Sequence, residues 1–207
     1  LKPKLKQVYP FVIGTKNRRV ITYNRAGGVL MFSKYPMKEL KSIRYKKCKK
    51  IDCKANKGAL LVEVLHPVKK FQLLGTHLQA GGGNEIKLSQ HIEAGELLKQ
   101  FEQKDIPQFA AGDFNTHKND TILYPHMLKA LCCEDGDICT DLKFTSDHML
   151  NDMQNYNVNR RSVIDFILFK GNGFKPKQIT RSVKQFEQRW SKDHKDLSDH
   201  NAIVLQM

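Results

Sequence analysis

Phe109-Ala110-Ala111-Gly112-Asp113-Phe114-Asn115 is the stretch whose reading decides the fold. Its opening run is short and apolar, as in a strand covered on both faces. The residues that follow bring an acid and an amide to the end of that strand. Taken alone, Gly112-Asp113-Phe114-Asn115 also suits an ordinary strand-to-loop turn.

The same arrangement recurs on either side. Upstream, the apolar run from Phe71 leads into Gly75-Thr76-His77-Leu78-Gln79. Downstream, Leu197-Ser198-Asp199-His200 comes just before a last apolar run at 202–205. Between them, Asp165 sits inside the run 163–169, where a carboxylate is costly to bury unless paired or bound. Further apolar runs at 20–23, 28–32 and 59–64 are predicted strands. Ser146-Asp147-His148 repeats the Ser-Asp-His triplet but precedes nothing strand-like.

Two segments carry helical spacing. In 84–103, Ile92, Leu97, Leu98 and Phe101 recur with polar residues between them. In 120–131, Leu123, Met127, Leu128 and Leu131 do the same, with Asn119 or Asp120 available as a cap. Strands interleaved with a few helices indicate a mixed α/β layered domain. The polar stretch 132–161 has no clear period, and is expected to hide short elements or to be a functional loop.

The chain has 207 residues, 40% of them hydrophobic, enough for one domain with a core that needs no staples. No stretch is long enough to span a bilayer. Thirty-five Lys and Arg against 21 Asp and Glu leave a net charge of +14. Such a surface attracts polyanions, whether nucleic acid, anionic lipid or phosphorylated substrates, and charge alone does not choose among them. The cysteines number five, without zinc-like pairs. Cys48 and Cys53 could bridge a loop; reduced structural thiols are the reading adopted.

The polar residues form an inventory suited to phosphoester hydrolysis. Histidine deprotonates water well near neutral pH. A hard cation wants oxygen ligands from Asp or Asn. Charge on the phosphoryl oxygens must be neutralised. His77, Asp113, Asn115, Asp165, Asp199 and His200 could fill these roles.

Each feature is weak singly; their order is specific. A strand followed by Ser33-Lys34-Tyr35-Pro36, then Thr76-His77-Leu78-Gln79, Gly112-Asp113-Phe114-Asn115, Ile164-Asp165-Phe166 and Ser198-Asp199-His200 resembles the endonuclease/exonuclease/phosphatase superfamily, or deoxyribonuclease I-like fold. The resemblance runs from Gly27 to the C-terminus. Two segments are similar to neutral sphingomyelinases: Ala55-Asn56-Lys57-Gly58-Ala59-Leu60 at the start of a strand, and Thr76-His77-Leu78-Gln79-Ala80.

The resemblance implies a four-layer α/β sandwich, two face-to-face mixed β-sheets flanked by helices, formed by residues 1–207 as a single catalytic domain. It implies a phosphodiesterase that cleaves sphingomyelin or a related phospholipid to ceramide and phosphocholine, with Mg2+ or another divalent cation. His200 would be the general base and Asp165 would hold its imidazole. Asp113 and Asn115 would position water and metal, Asp199 would act on the metal side, and His77 would stabilise the transition state. Asn56 and Lys57 would bind substrate. Expected partners are a phospholipid head group and an anionic membrane surface, for a monomer that is secreted or in the cell envelope. The alternatives are a nuclease or nucleotide phosphatase of the same fold, and a non-catalytic lipid- or protein-binding domain.

Two departures stand out. Family members begin with an Asn-bearing strand and a second strand ending in a metal-ligating Glu; here the first Glu is Glu39. The N-terminal strands are therefore expected to be missing, and metal binding and turnover to be weak. Secreted haemolytic members also carry an aromatic hairpin before Ser-Asp-His. Here residues 186–194 hold Phe186 and Trp190 among charges, so deep insertion into lipid is not expected.

Overall fold

Four apolar runs become the centre of one mixed sheet because every second side chain is buried on each face. A computed structural model describes the chain apart from Leu1, Lys16, Asn17, Ile21, Thr22, Ala26 and residues 155–157. It begins with a short helix α1 (Lys2–Val8), then β1 (Phe11–Gly14), β2 (Arg18–Val20), β3 (Tyr23–Arg25), β4 (Leu30–Ser33) and β5 (Met37–Arg44). Next come β6 (Gly58–Val64), β7 (Phe71–His77), helix α2 (Asn84–Gln100), β8 (Gln108–Asp113) and helix α3 (Leu123–Leu131). The last elements are β9 (Ser146–Asp147), β10 (Arg161–Ser162), β11 (Asp165–Lys170), β12 (Thr180–Lys184) and β13 (Ala202–Gln206).

The main sheet has the order β11-β8-β7-β6-β5. Only β7 and β8 run parallel, joined through α2, and the other neighbours are antiparallel. Register aligns Leu61, Leu74, Ala110 and Leu168 in one row across four strands. That row faces α2 and α3 and joins Leu97, Leu98, Met127 and Leu131 in the larger core. The opposite face presents Leu60, Val62 and Val64 to Met31 of β4, with Ile13 of β1 packed against them. The second layer of strands consists, among the described residues, of two-stranded ribbons such as β1–β4 and β12–β13.

Helices α2 and α3 approach closely at Gly95. A Cβ there would lie 1.9 Å from the Ala130 carbonyl oxygen. No helix among the described residues is long and apolar enough to cross a membrane.

Several expectations change. Val20 and Tyr23 do not share one strand; they face each other across β2 and β3. The second helix stops at Gln100, and Ile92 lies on its exposed side. Its buried stripe instead includes Gln90 and His91, polar residues that a count of apolar spacing passes over. Ser146-Asp147 does form a short strand, paired with Arg161-Ser162, where buried Asp147 receives Arg161 Nε at 3.1 Å and an Arg161 Nη at 2.8 Å. Strands β1, β5 and β12 were not anticipated, because β5 and β12 mix lysine or arginine with few apolar positions. Cys48 and Cys53 are not reduced thiols but form a disulfide, while Cys132, Cys133 and Cys139 are free.

Candidate active site

Strand register builds the site. His77 ends β7 opposite Asp113 at the end of β8, and Asp113 lies opposite Asp165 at the start of β11. Because β11 runs antiparallel to β8, its first residue meets the last of β8. One imidazole and two carboxylates therefore stand in a row at one end of the sheet. Lys57 enters the same end, since it directly precedes β6.

Gly112 explains the sharp delivery of Asp113. Its φ of 140° is in the region that favours glycine, and a Cβ would lie 2.0 Å from the Thr76 carbonyl oxygen. Beyond it, Asp113 Oδ1 accepts the Asn115 amide at 2.8 Å, and Oδ2 accepts Asn115 Nδ2 at 3.1 Å. Asn115 takes a left-handed φ of 47°, which asparagine tolerates. Its Nδ2 also donates to Leu78 O at 3.0 Å. Both amide hydrogens are thus committed, and Oδ1 is left as an acceptor. His77 Nε2 lies 3.3 Å from Asp113 Oδ2.

His200 arrives on the loop before β13. Its Nδ1 lies 2.8 Å from Asp165 Oδ2. A carboxylate only accepts, so Nδ1 carries the hydrogen, and in the neutral ring Nε2 is free to take a proton. Thr145 anchors both partners. Its hydroxyl accepts the Ile164 and Asp165 amides, each at 3.1 Å, and its carbonyl accepts the Asn201 amide at 2.7 Å.

The electrostatics follow from this crowding. The Asp165 hydrogen bond outweighs burial and, with the nearby carboxylates, raises His200 to about 9. Burial and the charge of Asp165 raise Asp113 to about 6. Burial lowers His77, and the Lys57 charge adds to that effect. Burial also lowers Lys57, opposed by Asp52.

Asp113, Asp165 and His200 each offer a ligand atom, all within 4.8 Å of one another. Two hard carboxylates suit a cation such as Mg2+, which takes one or two carboxylates and keeps several waters. Asp165 is engaged by His200, so Asp113 with Asn115 Oδ1 is the better placed pair. Asp199 is exposed, accepts from its neighbour Ser198 Oγ at 3.4 Å, and stands outside that cluster of three.

Asn56 and Lys57 are both buried at the entrance to β6. Lys57 Nζ donates to Leu78 O at 2.6 Å and lies 3.5 Å from Asp52 Oδ1. Leu78 O thus receives both Lys57 and Asn115.

Sequence reasoning missed Asp52, Thr145 and a support on α2. Lys87 donates to the Asn115 carbonyl, and His91 Nε2 lies 3.1 Å from the Thr116 hydroxyl. That hydroxyl donates onward to Phe114 O at 3.0 Å, so the His91 Nε2 carries a hydrogen. The i, i+4 spacing of Lys87 and His91 was the available signal.

The chain matches the endonuclease/exonuclease/phosphatase family over residues 3–200, and it belongs to that family. It is 28% identical to a phospholipase C of Staphylococcus aureus, over 88% of this chain and 61% of that protein. The chain thus spans about three fifths of that relative's length. Its fold is similar to that of a Staphylococcus aureus beta toxin, with a TM-score of 0.84 and 25% identity over 99% of this chain and 80% of the toxin. A beta toxin variant with bound magnesium ions superposes with a TM-score of 0.83 at 23% identity, over the same shares of the two chains. Sphingomyelinase C of Streptomyces griseocarneus shares the fold, with a TM-score of 0.83 and 20% identity over 99% of this chain and 80% of the enzyme.

Proposed function

We propose that this protein is a Mg2+-dependent phosphodiesterase that hydrolyses sphingomyelin, or a related choline phospholipid, to ceramide and phosphocholine. The observation that carries the reading is the convergence of His77, Asp113 and Asp165 in register, with His200 bonded to Asp165 at 2.8 Å. Support for the lipid substrate comes from Asn56-Lys57-Gly58 and Thr76–Ala80, and from the likeness to a phospholipase C and a sphingomyelinase C.

In this reading His200 Nε2 takes the proton of the attacking water. Asp165 fixes the ring and stabilises its charged form, as a general base requires. Asp113 and Asn115 would hold the cation, which would polarise a phosphoryl oxygen. His77 and Lys57 face the phosphoryl oxygens and stabilise the charge that builds on them. Asp199 adds negative charge beside His200. The Cys48–Cys53 disulfide supports a secreted or cell-envelope location, where such bonds persist.

The basic charge favours a second reading, a nuclease of the same fold. Purified protein is given sphingomyelin in detergent micelles with Mg2+, and separately plasmid DNA and RNA. Release of phosphocholine that needs Mg2+ and His200 is the expected result. His200-dependent cleavage of DNA or RNA, with every choline phospholipid left intact, selects the nuclease. Binding to Mg2+ or lipid without any turnover selects a docking domain.

A further inference from the structure

We infer that the loop at residues 46–54, braced by the Cys48–Cys53 disulfide, is a dock for an anionic phospholipid surface, beside the catalytic rim. The loop carries Lys46, Lys47, Lys49, Lys50 and Lys54, all of them exposed. None of the five takes part in an ion pair among the described residues. Its one acid, Asp52, is turned inward, with Oδ1 3.5 Å from Lys57 Nζ and Oδ2 accepting the Ala80 amide at 2.9 Å.

The backbone of the loop is clamped while its lysines are left free. Cys48 and Cys53 close its middle, residues 48–53, covalently. The Lys49 amide donates to Gln79 Oε1 at 3.2 Å, and Gln79 Nε2 donates back to Lys49 O at 3.1 Å. Gln90 Nε2 donates to Lys47 O at 2.9 Å, and Glu93 Oε2 accepts the Lys46 amide at 3.1 Å. A loop that served only to carry soluble charge has no need of such anchoring. Holding the backbone still keeps five exposed lysines on one short anchored segment, so docking need not order the chain first.

The clamps also fix where a docked surface would lie. Gln79 and Ala80 directly follow the His77 end of β7, and Asp52 pairs with Lys57. A surface held by the loop therefore meets the same end of the sheet as His77 and Asp113. The inference deepens the proposed phospholipid activity, and rests on it for the reason a lipid surface should be brought there.

The chemistry of the loop favours lipid over nucleic acid. Residues 46–54 contain no arginine and no aromatic residue. Bidentate phosphate recognition uses the arginine fork, and single-stranded nucleic acid is gripped by stacking on aromatic rings. Lysine is a point charge on a flexible stem, suited to a fluid array of anionic head groups.

The test compares two triple neutralisations of equal charge. Lys46→Gln/Lys47→Gln/Lys54→Gln alters the loop. Lys99→Gln/Lys104→Gln/Lys177→Gln removes three exposed lysines from the opposite end of the sheet. Each protein is co-sedimented with vesicles of phosphatidylcholine and phosphatidylserine in equal parts, and with phosphatidylcholine alone. No sphingomyelin is present, so the result is independent of whether the catalytic reading holds. The wild type is expected to bind only the anionic vesicles. The loop variant should lose roughly fivefold per lysine, about a hundredfold in all, and the remote variant far less. Equal losses in both variants, or wild-type binding to neutral vesicles alone, overturn the inference. So does a loop variant that keeps its vesicle affinity but loses affinity for a DNA oligonucleotide, which would make the loop a nucleic-acid dock.

Discussion

Asp165 lies directly opposite Asp113 across β11 and β8, so two carboxylates share the end of the sheet while only one of them is bonded to His200. The pairing divides their work. Asp165 orients an imidazole, and Asp113 is raised to about 6 and left facing His77 and Asn115.

Removing the imidazole tests the first half of that division. His200→Ala is expected to lower turnover about 100- to 10,000-fold, the range for loss of a general base. Asp165→Asn keeps the shape but removes the charge that stabilises the imidazolium, and should be milder but still severe. Phosphocholine release under saturating substrate measures both, and a His200→Ala protein with unchanged turnover would remove His200 from the mechanism.

Cation binding should be pH-dependent. A carboxyl held near pH 6 must give up its proton to a divalent ion, so affinity is expected to rise between roughly pH 5 and 7. Calorimetry in buffers of different ionisation enthalpy should detect proton release. Asp113→Asn should remove the pH dependence along with most of the affinity.

The His200–Asp165 bond also bears on stability. The folded pKa of His200, about 9, is above its ordinary value of 6.5. Its contribution to stability is therefore complete below about pH 6.5 and is lost as pH rises through about 9. Urea midpoints of the wild type and His200→Gln should differ most at the lower pH and converge above it. A constant gap across that window would contradict the linkage.

Thr145 is expected to position the pair without touching substrate. Thr145→Val keeps the shape but removes the acceptor for the buried Ile164 amide and the half-buried Asp165 amide, leaving both donors unsatisfied. Such a loss costs about 1–3 kcal/mol each. A lower melting temperature, with His200 titrating closer to 6.5 by NMR, is the expected result. A destabilised protein with an unchanged His200 titration would assign Thr145 to folding alone.

The disulfide should matter beyond its small loop. Cys48→Ser/Cys53→Ser frees the chain that carries Asp52, so Lys57 loses its fixed carboxylate. Closing so short a loop contributes on the order of 2 kcal/mol. Denaturant unfolding reads that loss. A raised KM with a smaller change in kcat would show that substrate binding through Lys57 is the step affected.

The sequence by itself determined the central strands and the identity of the clustered polar residues. Runs such as 59–64, Phe71–His77 and 109–112 are legible because strands buried on both faces admit almost nothing polar. His77, Asp113, Asn115, Asp165 and His200 were legible because each adjoins or interrupts such a run. Tertiary structure decided the rest. Edge strand β5 carries lysines on its exposed side, and so hides its period. The buried side of α2 holds Gln90 because it bonds to the backbone of Gln79 and Lys47, and His91 because it bonds to the Thr116 hydroxyl, which apolar spacing cannot reveal. The alignment of His77, Asp113 and Asp165 depends on inter-strand register, and the roles of Thr145 and Asp52 depend on loops crossing in space. These are pairings between residues distant in the chain, and local propensity carries no information about which distant partner a backbone amide will meet.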